Sequence, residues 1–241
     1  MFKKIFLAAL VVASAVFAQT GVKFGAHAGF NYGSVWGDNT DKFGFEGGPG
    51  FTGGVDAKIA ISPTFFIVTG LEFENRSVDW NIRKMYQNFP DVSDEFGGSD
   101  MSYSDLNMIM NLTISFSLSY LNIPVLARFY PVPKFYLDAG AYLGFNVSSS
   151  MDISISYIGG YSMDTPSQMK KDMDFGIIVG LGYSVSPMFD LYARYSMGFV
   201  DMVDVVKFAS ITGEEDIDYS DAPNVGFKNM RFQIGVSFWF N

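Results

Sequence analysis

Three features of this 241-residue sequence predict an all-β fold, an eight-stranded antiparallel transmembrane β-barrel with short periplasmic turns and long extracellular loops. The chain begins with a segment typical of an export signal. Most of the remaining sequence alternates between apolar and polar residues with a period of two, which is typical of strands that have one apolar face. The connections between these strands alternate between short and long, as in barrels of an outer membrane.

The first 18 residues have the organisation of a secretory signal peptide. Two lysines form a positive start, residues 5–12 are apolar, and the segment ends at the small residue Ala18. This stretch is too short to cross a bilayer comfortably, and its flanks are typical of a cleaved signal. A buried N-terminal helix is the alternative interpretation. We therefore predict a signal peptide over residues 1–18 and a barrel domain over residues 19–241.

Eight runs of alternating residues follow the signal peptide, and each is long enough to hold the 9–11 residues of a membrane strand. In each run the apolar side chains share one face of the expected strand. The runs cover residues 22–32, 51–61, 65–74, 121–130, 135–147, 174–183, 189–199 and 231–240. An even number of strands places both ends of the barrel on the periplasmic side.

The connections fall into two classes. The short ones contain proline, which favours tight turns, and cover residues 62–64, 131–134 and 184–188. The long ones are polar and cover residues 36–50, 75–111, 148–172 and 200–226. Nineteen of the 25 acidic residues fall in the long segments, so we expect acidic loops outside the cell.

The second face of the alternating runs distinguishes a membrane barrel from a soluble β-protein. It carries glycine, tyrosine, asparagine and charges of both signs, which is typical of a crowded lumen. A soluble sandwich or a lipocalin-like barrel, with a wet second face, is the alternative. We expect aromatic residues at the strand ends to form two girdles: Phe24, Phe51, Phe65, Phe129, Phe135, Phe189, Phe199 and Phe240.

Charged residues on the second face are expected to share the lumen of the barrel. They are Lys23, His27, Asp56, Lys58, Glu72, Glu74, Arg128, Asp138, Asp174, Asp190 and Arg194. An eight-stranded barrel is only wide enough for side chains to fill it, and charges removed from water need partners. We therefore predict a plugged, salt-bridged lumen. The alternative is a narrow ion or water path lined by the same groups.

Composition argues against several classes of function. The absence of Cys removes thiolate metal sites and cysteine catalysis, and the presence of one His argues against a His-rich metal site. A net charge of −9 argues against nucleic-acid binding, which needs clustered Lys and Arg. We expect no cofactor and no nucleic-acid partner.

The single histidine, His27, is the candidate base of a lipid-modifying barrel enzyme. Such an enzyme needs a nucleophilic serine and an orienting acid next to its base. No motif marks a serine as the partner of His27, so we favour a lumen histidine held by hydrogen bonds. The sequence therefore predicts a protein without enzymatic activity.

The last long segment contains a dense group of carboxylates. It comprises Glu214, Glu215, Asp216, Asp218 and Asp221. Several carboxylates together suit a hard cation such as Ca²⁺, but the spacing lacks the glycine-centred pattern of an EF-hand loop. A solvated acidic loop is the favoured interpretation.

The apolar phase changes near the outer ends of two strands. Residues 112–120 place apolar side chains at even positions, whereas the run from Leu121 places them at odd positions, and Pro124 removes one ladder hydrogen bond. We expect a β-bulge near residues 120–124. After the run 65–74, the apolar residues Val78 and Trp80 also lie at even instead of odd positions. These changes predict that the strands continue outside the cell as a twisted, protruding sheet. Its edge is either an adhesive surface or a rigid, non-binding support for the loops.

The predicted fourth and fifth strands carry motifs of a known family. Residues 120–130 read YLNIPVLARFY, and residues 134–144 read KFYLDAGAYLG. These strands resemble the PorT-like outer-membrane β-barrel family, in positions that include Tyr120, Leu121, Ile123, Pro124, Arg128 and Tyr130. The resemblance implies a small barrel of OmpA/OmpX-like architecture, and one branch of the family suggests work in a secretion system.

The resemblance and the charge pattern together indicate the surroundings of the protein. We expect a monomer in the outer membrane of a Gram-negative bacterium, in contact with lipid and lipopolysaccharide. Its loops are expected to meet an extracellular protein or another surface ligand.

Overall fold

The computed structural model describes residues 21–37, 40, 44–81, 83, 84, 87, 112–155, 159–164, 172–201 and 227–240. The signal peptide predicted at residues 1–18 lies outside them. No helix in this described part of the chain is long and apolar enough to cross a membrane. The strands are β1 (Val22–Trp36), β2 (Phe45–Ala60), β3 (Phe65–Asn81), β4 (Leu112–Val132), β5 (Phe135–Ile155), β6 (Gly159–Asp164), β7 (Met173–Ser184), β8 (Phe189–Asp201) and β9 (Lys228–Trp239).

Eight of these strands form a closed antiparallel ring. Their order is β1–β2–β3–β4–β5–β7–β8–β9, and β9 pairs with β1 from Gly25↔Trp239 to Trp36↔Lys228. The three short connections between β2 and β3, β4 and β5, and β7 and β8 lie together at one end. Lys134 adopts a φ of 73° in the tight turn between β4 and β5. The predicted eight-stranded barrel is confirmed.

The ring turns its apolar residues outward. Phe30 is 74% exposed and Val179 is 51% exposed, whereas the residues at the alternate positions of the same strands are mostly buried. A soluble monomer rarely exposes so large a continuous apolar surface. The outer wall therefore has the polarity of a surface that faces lipid.

Aromatic side chains cluster near both margins of this outer wall. At the end with the short turns, the ring centroids of Phe189 and Phe238 lie 4.9 Å apart. Towards the opposite end, Phe175 lies 5.9 Å from Phe199. Paired aromatic rings at the two margins correspond to the girdles expected at the two interfaces of a membrane.

Several strands are longer than the alternation predicts. β2 begins at Phe45, β3 continues to Asn81, and β4 and β5 reach Leu112 and Ile155. The predicted loop segments 36–50, 75–111, 148–172 and 200–226 therefore each include residues that belong to strands. At about 3.3 Å per residue, β3 to β5 continue for roughly 25 Å past the outer aromatic margin.

The expected β-bulge on β4 is wrong, because the bulge lies on β5. The pairing changes from Tyr120↔Asn146 to Ser119↔Ser148, which leaves Val147 as the extra residue. The inward face of β4 stays at even positions throughout, and its register with β3 is unchanged. Beyond the bulge the inward face of β5 changes parity, so Met151 is buried.

The change in apolar phase has a different cause, which is a reversal of polarity between the two faces of the wall. Past the outer aromatic margin, Val78, Leu118 and Tyr120 point inward and form an apolar cluster with Val35 and Phe45. The opposite face carries serine and asparagine. A wall with an apolar interior and a polar exterior is suited to water, so this part is expected to stand outside the lipid.

Pro124 interrupts the ladder without shifting it. The pairs between β3 and β4 break off at Thr69↔Val125 and resume at Glu72↔Asn122 in the same register. The Thr69 hydroxyl donates a hydrogen bond of 2.8 Å to the carbonyl oxygen of Pro124. A side chain thus occupies an acceptor that the interrupted ladder leaves open.

A prediction for the outer wall follows from the two polarities. Val179→Arg places a charge in the middle of the apolar wall and should destabilise the barrel by about 2–4 kcal/mol. Ser117→Arg, on the polar exterior of β4, is the matched control and should have little effect. Unfolding by urea in lipid vesicles and the migration of unheated samples in detergent gels measure both. Equal stability of the two variants would contradict a lipid-facing wall.

Candidate functional site: the charged lumen

The lumen of the ring is filled by charged side chains from all eight strands. Twelve charged residues are buried in the described part of the chain: His27, Asp56, Lys58, Glu72, Glu74, Arg76, Arg128, Asp138, Asp174, Asp190, Arg194 and Arg231. Six carboxylates therefore face five Lys or Arg side chains and one His. This near balance is what burial of charge requires.

Ten of the eleven charged residues predicted for the lumen are buried there. The exception, Lys23, lies exposed at the end with the short turns. Sequence reasoning missed Arg76 and Arg231. Arg76 lies beyond the predicted end of its strand, although it has the same parity as Glu72 and Glu74. Arg231 occupies an inward position of the last alternating run, and parity alone could have found it.

The layer nearest the short turns is built around Arg128. Its guanidinium donates two hydrogen bonds to Asp138, from Nε to Oδ1 at 2.8 Å and from Nη2 to Oδ2 at 2.9 Å. A third runs from Nη1 to Asp190 Oδ2 at 3.0 Å. The indole of Trp239 donates to the same Asp190 oxygen at 2.7 Å, and Arg194 Nη2 lies 3.5 Å from Asp138 Oδ2. One arginine thereby joins β4, β5 and β8.

The middle layer contains the single histidine. His27 Nδ1 lies 2.7 Å from Asp56 Oδ2, and Nε2 lies 3.2 Å from Glu72 Oε2. A neutral imidazole could donate to only one of these carboxylates. Glu72 also accepts hydrogen bonds from Arg231 Nη2 at 3.1 Å and from Gln233 Nε2 at 3.3 Å. The layer joins β1, β2, β3 and β9.

The third layer lies towards the long loops. Arg76 Nε donates to Glu74 Oε1 at 2.6 Å, and Nη1 donates to Asp174 Oδ2 at 3.2 Å. Tyr142 Oη donates to the same Asp174 oxygen at 2.9 Å, and Arg231 forms an ion pair with Glu74. The apolar cluster of Val35, Val78, Leu118, Tyr120 and Phe45 lies beyond this layer.

Aromatic rings fill the space around the guanidinium groups. The Arg128 guanidinium lies 3.6 Å from the centroid of Tyr136, and that of Arg76 lies 4.5 Å from the centroid of Tyr120. A side chain at Gly182 would occupy the position of the Tyr136 ring. Inward glycines therefore provide the room in which the large residues pack.

The residues that carry the family motif lie along β4 with alternating directions. Tyr120, Pro124 and Arg128 are buried on the inward face, and Leu121 and Ile123 lie on the outward face. Tyr130 lies at the end with the short turns, 5.5 Å from Phe66 and 5.4 Å from Tyr136 between ring centroids. Arg128, at the centre of the first layer, is thus also part of the motif.

His27 is held as a structural ion-pair partner. Within the described residues, its hydrogen-bond and ion-pair contacts are with Asp56 and Glu72, and the ring of Tyr192 lies edge-on at 6.2 Å. None of these three is the serine that an acyl-transfer mechanism needs. The acidic group from Glu214 to Asp221 lies outside the described residues.

Comparison with protein families gives the same architecture. The sequence matches the family described as outer membrane protein beta-barrel domain over residues 17–204. The chain belongs to this family. The protein is accordingly located in the bacterial outer membrane, and its apolar wall faces lipid. No curated protein matches the sequence.

Several solved structures of bacterial surface and outer membrane proteins are similar to this chain. Neisserial surface protein A (NspA) has a TM-score of 0.48 and 12% identity, covering 91% of this chain and 99% of that one. Ail, the attachment invasion locus protein of Yersinia pestis, has a TM-score of 0.42 and 12% identity, covering 90% and 98%. OprG from Pseudomonas aeruginosa has a TM-score of 0.40 and 11% identity, covering 92% and 97%.

A substitution in the first layer tests the importance of pairing in the lumen. Arg128→Met leaves Asp138 and Asp190 without their main partner and should lower the free energy of unfolding by about 3–5 kcal/mol. Lys84→Met is the matched control, because the Lys84–Glu46 pair is exposed and should contribute at most about 1 kcal/mol. Urea titration in vesicles, followed by tryptophan fluorescence, measures both. Equal losses for the two variants would contradict the assigned role of Arg128.

Proposed function

We propose that this outer membrane β-barrel is a closed, non-enzymatic protein that acts through its extracellular surface, as a structural or adhesive component. The observation that carries the proposal is the filled lumen. Three layers of ion pairs and an apolar cluster succeed one another along its axis, and each layer is held by hydrogen bonds between strands. A lumen filled in this way offers no wide route for solutes. Interaction with other molecules is then assigned to the surface outside the lipid.

The protruding sheet supports an adhesive role. β6 pairs with β5 from Ser150↔Asp164 to Ile155↔Gly159, and no described strand pairs with its other edge. An open edge can accept a strand from another protein through backbone hydrogen bonds. The acidic segments next to this sheet favour an extracellular protein or surface ligand with basic groups. A rigid support for the loops, without a binding partner, is the alternative.

We propose further details of the same assignment. The motif on β4 and β5 supports membership of the PorT-like branch, and a role as a secretion-system component is a less favoured alternative. Residues 1–18 are a signal peptide that is removed on export. The mature protein is a monomer in contact with outer-membrane lipid and lipopolysaccharide, and it uses no cofactor.

A narrow ion channel is the second candidate function, because charged groups follow one another along the lumen from the short turns to the third layer. Planar-bilayer recordings of the purified protein distinguish the two candidates. We expect no single-channel conductance, since each layer holds its charges in direct pairs. Glu74→Ala combined with Arg76→Ala, which empties part of the third layer, should introduce small conductance steps. Steps of regular size in the unmodified protein would contradict a plugged lumen.

Shortening the protruding region tests the adhesive role. Phe145 and Met173 are cross-strand partners, so an Asn-Gly turn can replace residues 146–172, which include β6, without separating β5 from β7. Cells that carry this variant should lose binding to immobilised extracellular proteins, while the unheated barrel still migrates as a folded species. The matched control is an equal-length Gly/Ser replacement of residues 202–226. Unchanged binding by the shortened variant would favour the rigid support.

A further inference from the structure

The end of the lumen with the short turns opens into a vestibule of about 720 Å³. It is separated from the long loops by the three ion-pair layers. Aromatic walls are provided by Phe66, Tyr130 and Phe240, and turn residues form the rim. The volume lies within the range of about 300–1,000 Å³ that is usual for small-molecule sites.

Lys58 lines this vestibule and forms no direct ion pair within the described residues, although Asp190 and Asp138 are near enough to attract its charge. The residue is 8% exposed, and its Nζ lies 4.1 Å from the ring centroid of Trp239 and 5.9 Å from that of Phe66. Within the described residues, no ion pair or hydrogen-bond acceptor is found for this ammonium group. The other buried cations of the lumen each contact a carboxylate. The ammonium group carries three donors, and the two rings satisfy none of them fully, so these donors are left to whatever occupies the vestibule.

The surrounding charges favour an anion at this position. Lys23 and Lys58 are direct cross-strand partners on β1 and β2, and like charges in that relation are destabilising. Lys134 adds a third positive charge at the rim. Asp190 also lines the vestibule, but its Oδ2 already accepts hydrogen bonds from Arg128 and Trp239.

We propose that the vestibule binds a small organic anion, with its carboxylate or phosphate group at Lys58 and its apolar body against Phe66 and Tyr130. The cation–π contact with Trp239 holds the ammonium group in place before the anion arrives. Lys23 contributes long-range attraction from the mouth. This site faces the periplasm and is independent of the extracellular role proposed above.

Trp239 allows the site to be tested by fluorescence. In a Trp36→Phe, Trp80→Phe background it is the remaining tryptophan. The probes are 4-bromobenzoate and 4-bromophenyl phosphate, whose bromine quenches a nearby indole, and neutral 4-bromobenzyl alcohol. We expect saturable quenching by at least one anion, weakened by salt, and only weak linear quenching by the alcohol. The comparison of the two anions identifies which group the site prefers.

Lys58→Met keeps the length of the side chain and removes its charge. We expect it to weaken binding of the anion about tenfold or more, as loss of a charged hydrogen bond does. Lys84→Met, at the opposite end of the barrel, is the matched control and should bind normally. Migration of unheated samples checks that each variant is folded. Linear quenching by all three probes, or equal affinity of the Lys58→Met and Lys84→Met variants, would overturn the proposal.

Discussion

The width of an eight-stranded ring is the constraint on which the rest of this structure depends. Such a ring encloses too little space for bulk water, so its interior must be filled by side chains. The outer wall is already committed to apolar residues by its contact with lipid. The inward positions therefore hold the polar residues of each strand, and these must satisfy one another. The ion-pair layers, the aromatic rings on guanidinium groups and the inward glycines all follow from that need.

Most of the fold could be predicted from the sequence because the period of two is a direct consequence of strand geometry. The alternation in Phe189–Phe199 or Phe135–Val147 fixes the inward face of each strand, and the proline-containing turns fix which ends are joined closely. That information was enough to identify ten of the buried charges. It was also enough to count the strands of the ring.

The sequence did not show where the polarity of the wall reverses. A change of apolar phase arises either from a bulge, which turns the strand over, or from a change of solvent, which exchanges the roles of the two faces. On β4 the cause is the solvent, whereas on β5 a bulge at Val147 acts as well. Residue types alone do not separate these cases, because the answer depends on the register with the neighbouring strand. The same uncertainty excluded Arg76 from the predicted lumen.

The partners of each charge were also beyond prediction, because they depend on how the closed ring brings distant strands together. Arg231 on β9 contacts Glu72 on β3, although two strands, β1 and β2, lie between them in the ring. Contacts of this kind cross the lumen and are independent of the strand ladder. They add connections between opposite parts of the wall, so the barrel is braced internally as well as around its circumference.

Because the strands have unequal lengths, the described part of the wall extends farther beyond the membrane on one side of the barrel than on the other. In the described part of the chain, β3, β4 and β5 rise far beyond the outer aromatic margin, whereas β7 and β8 end close to it. A large protein that approaches along the membrane from the β4 side contacts the polar outer face of these protruding strands. On the β8 side, none of the described strands rises far above this margin. Rotation of the barrel about its own axis therefore decides which neighbours in the crowded membrane can come close.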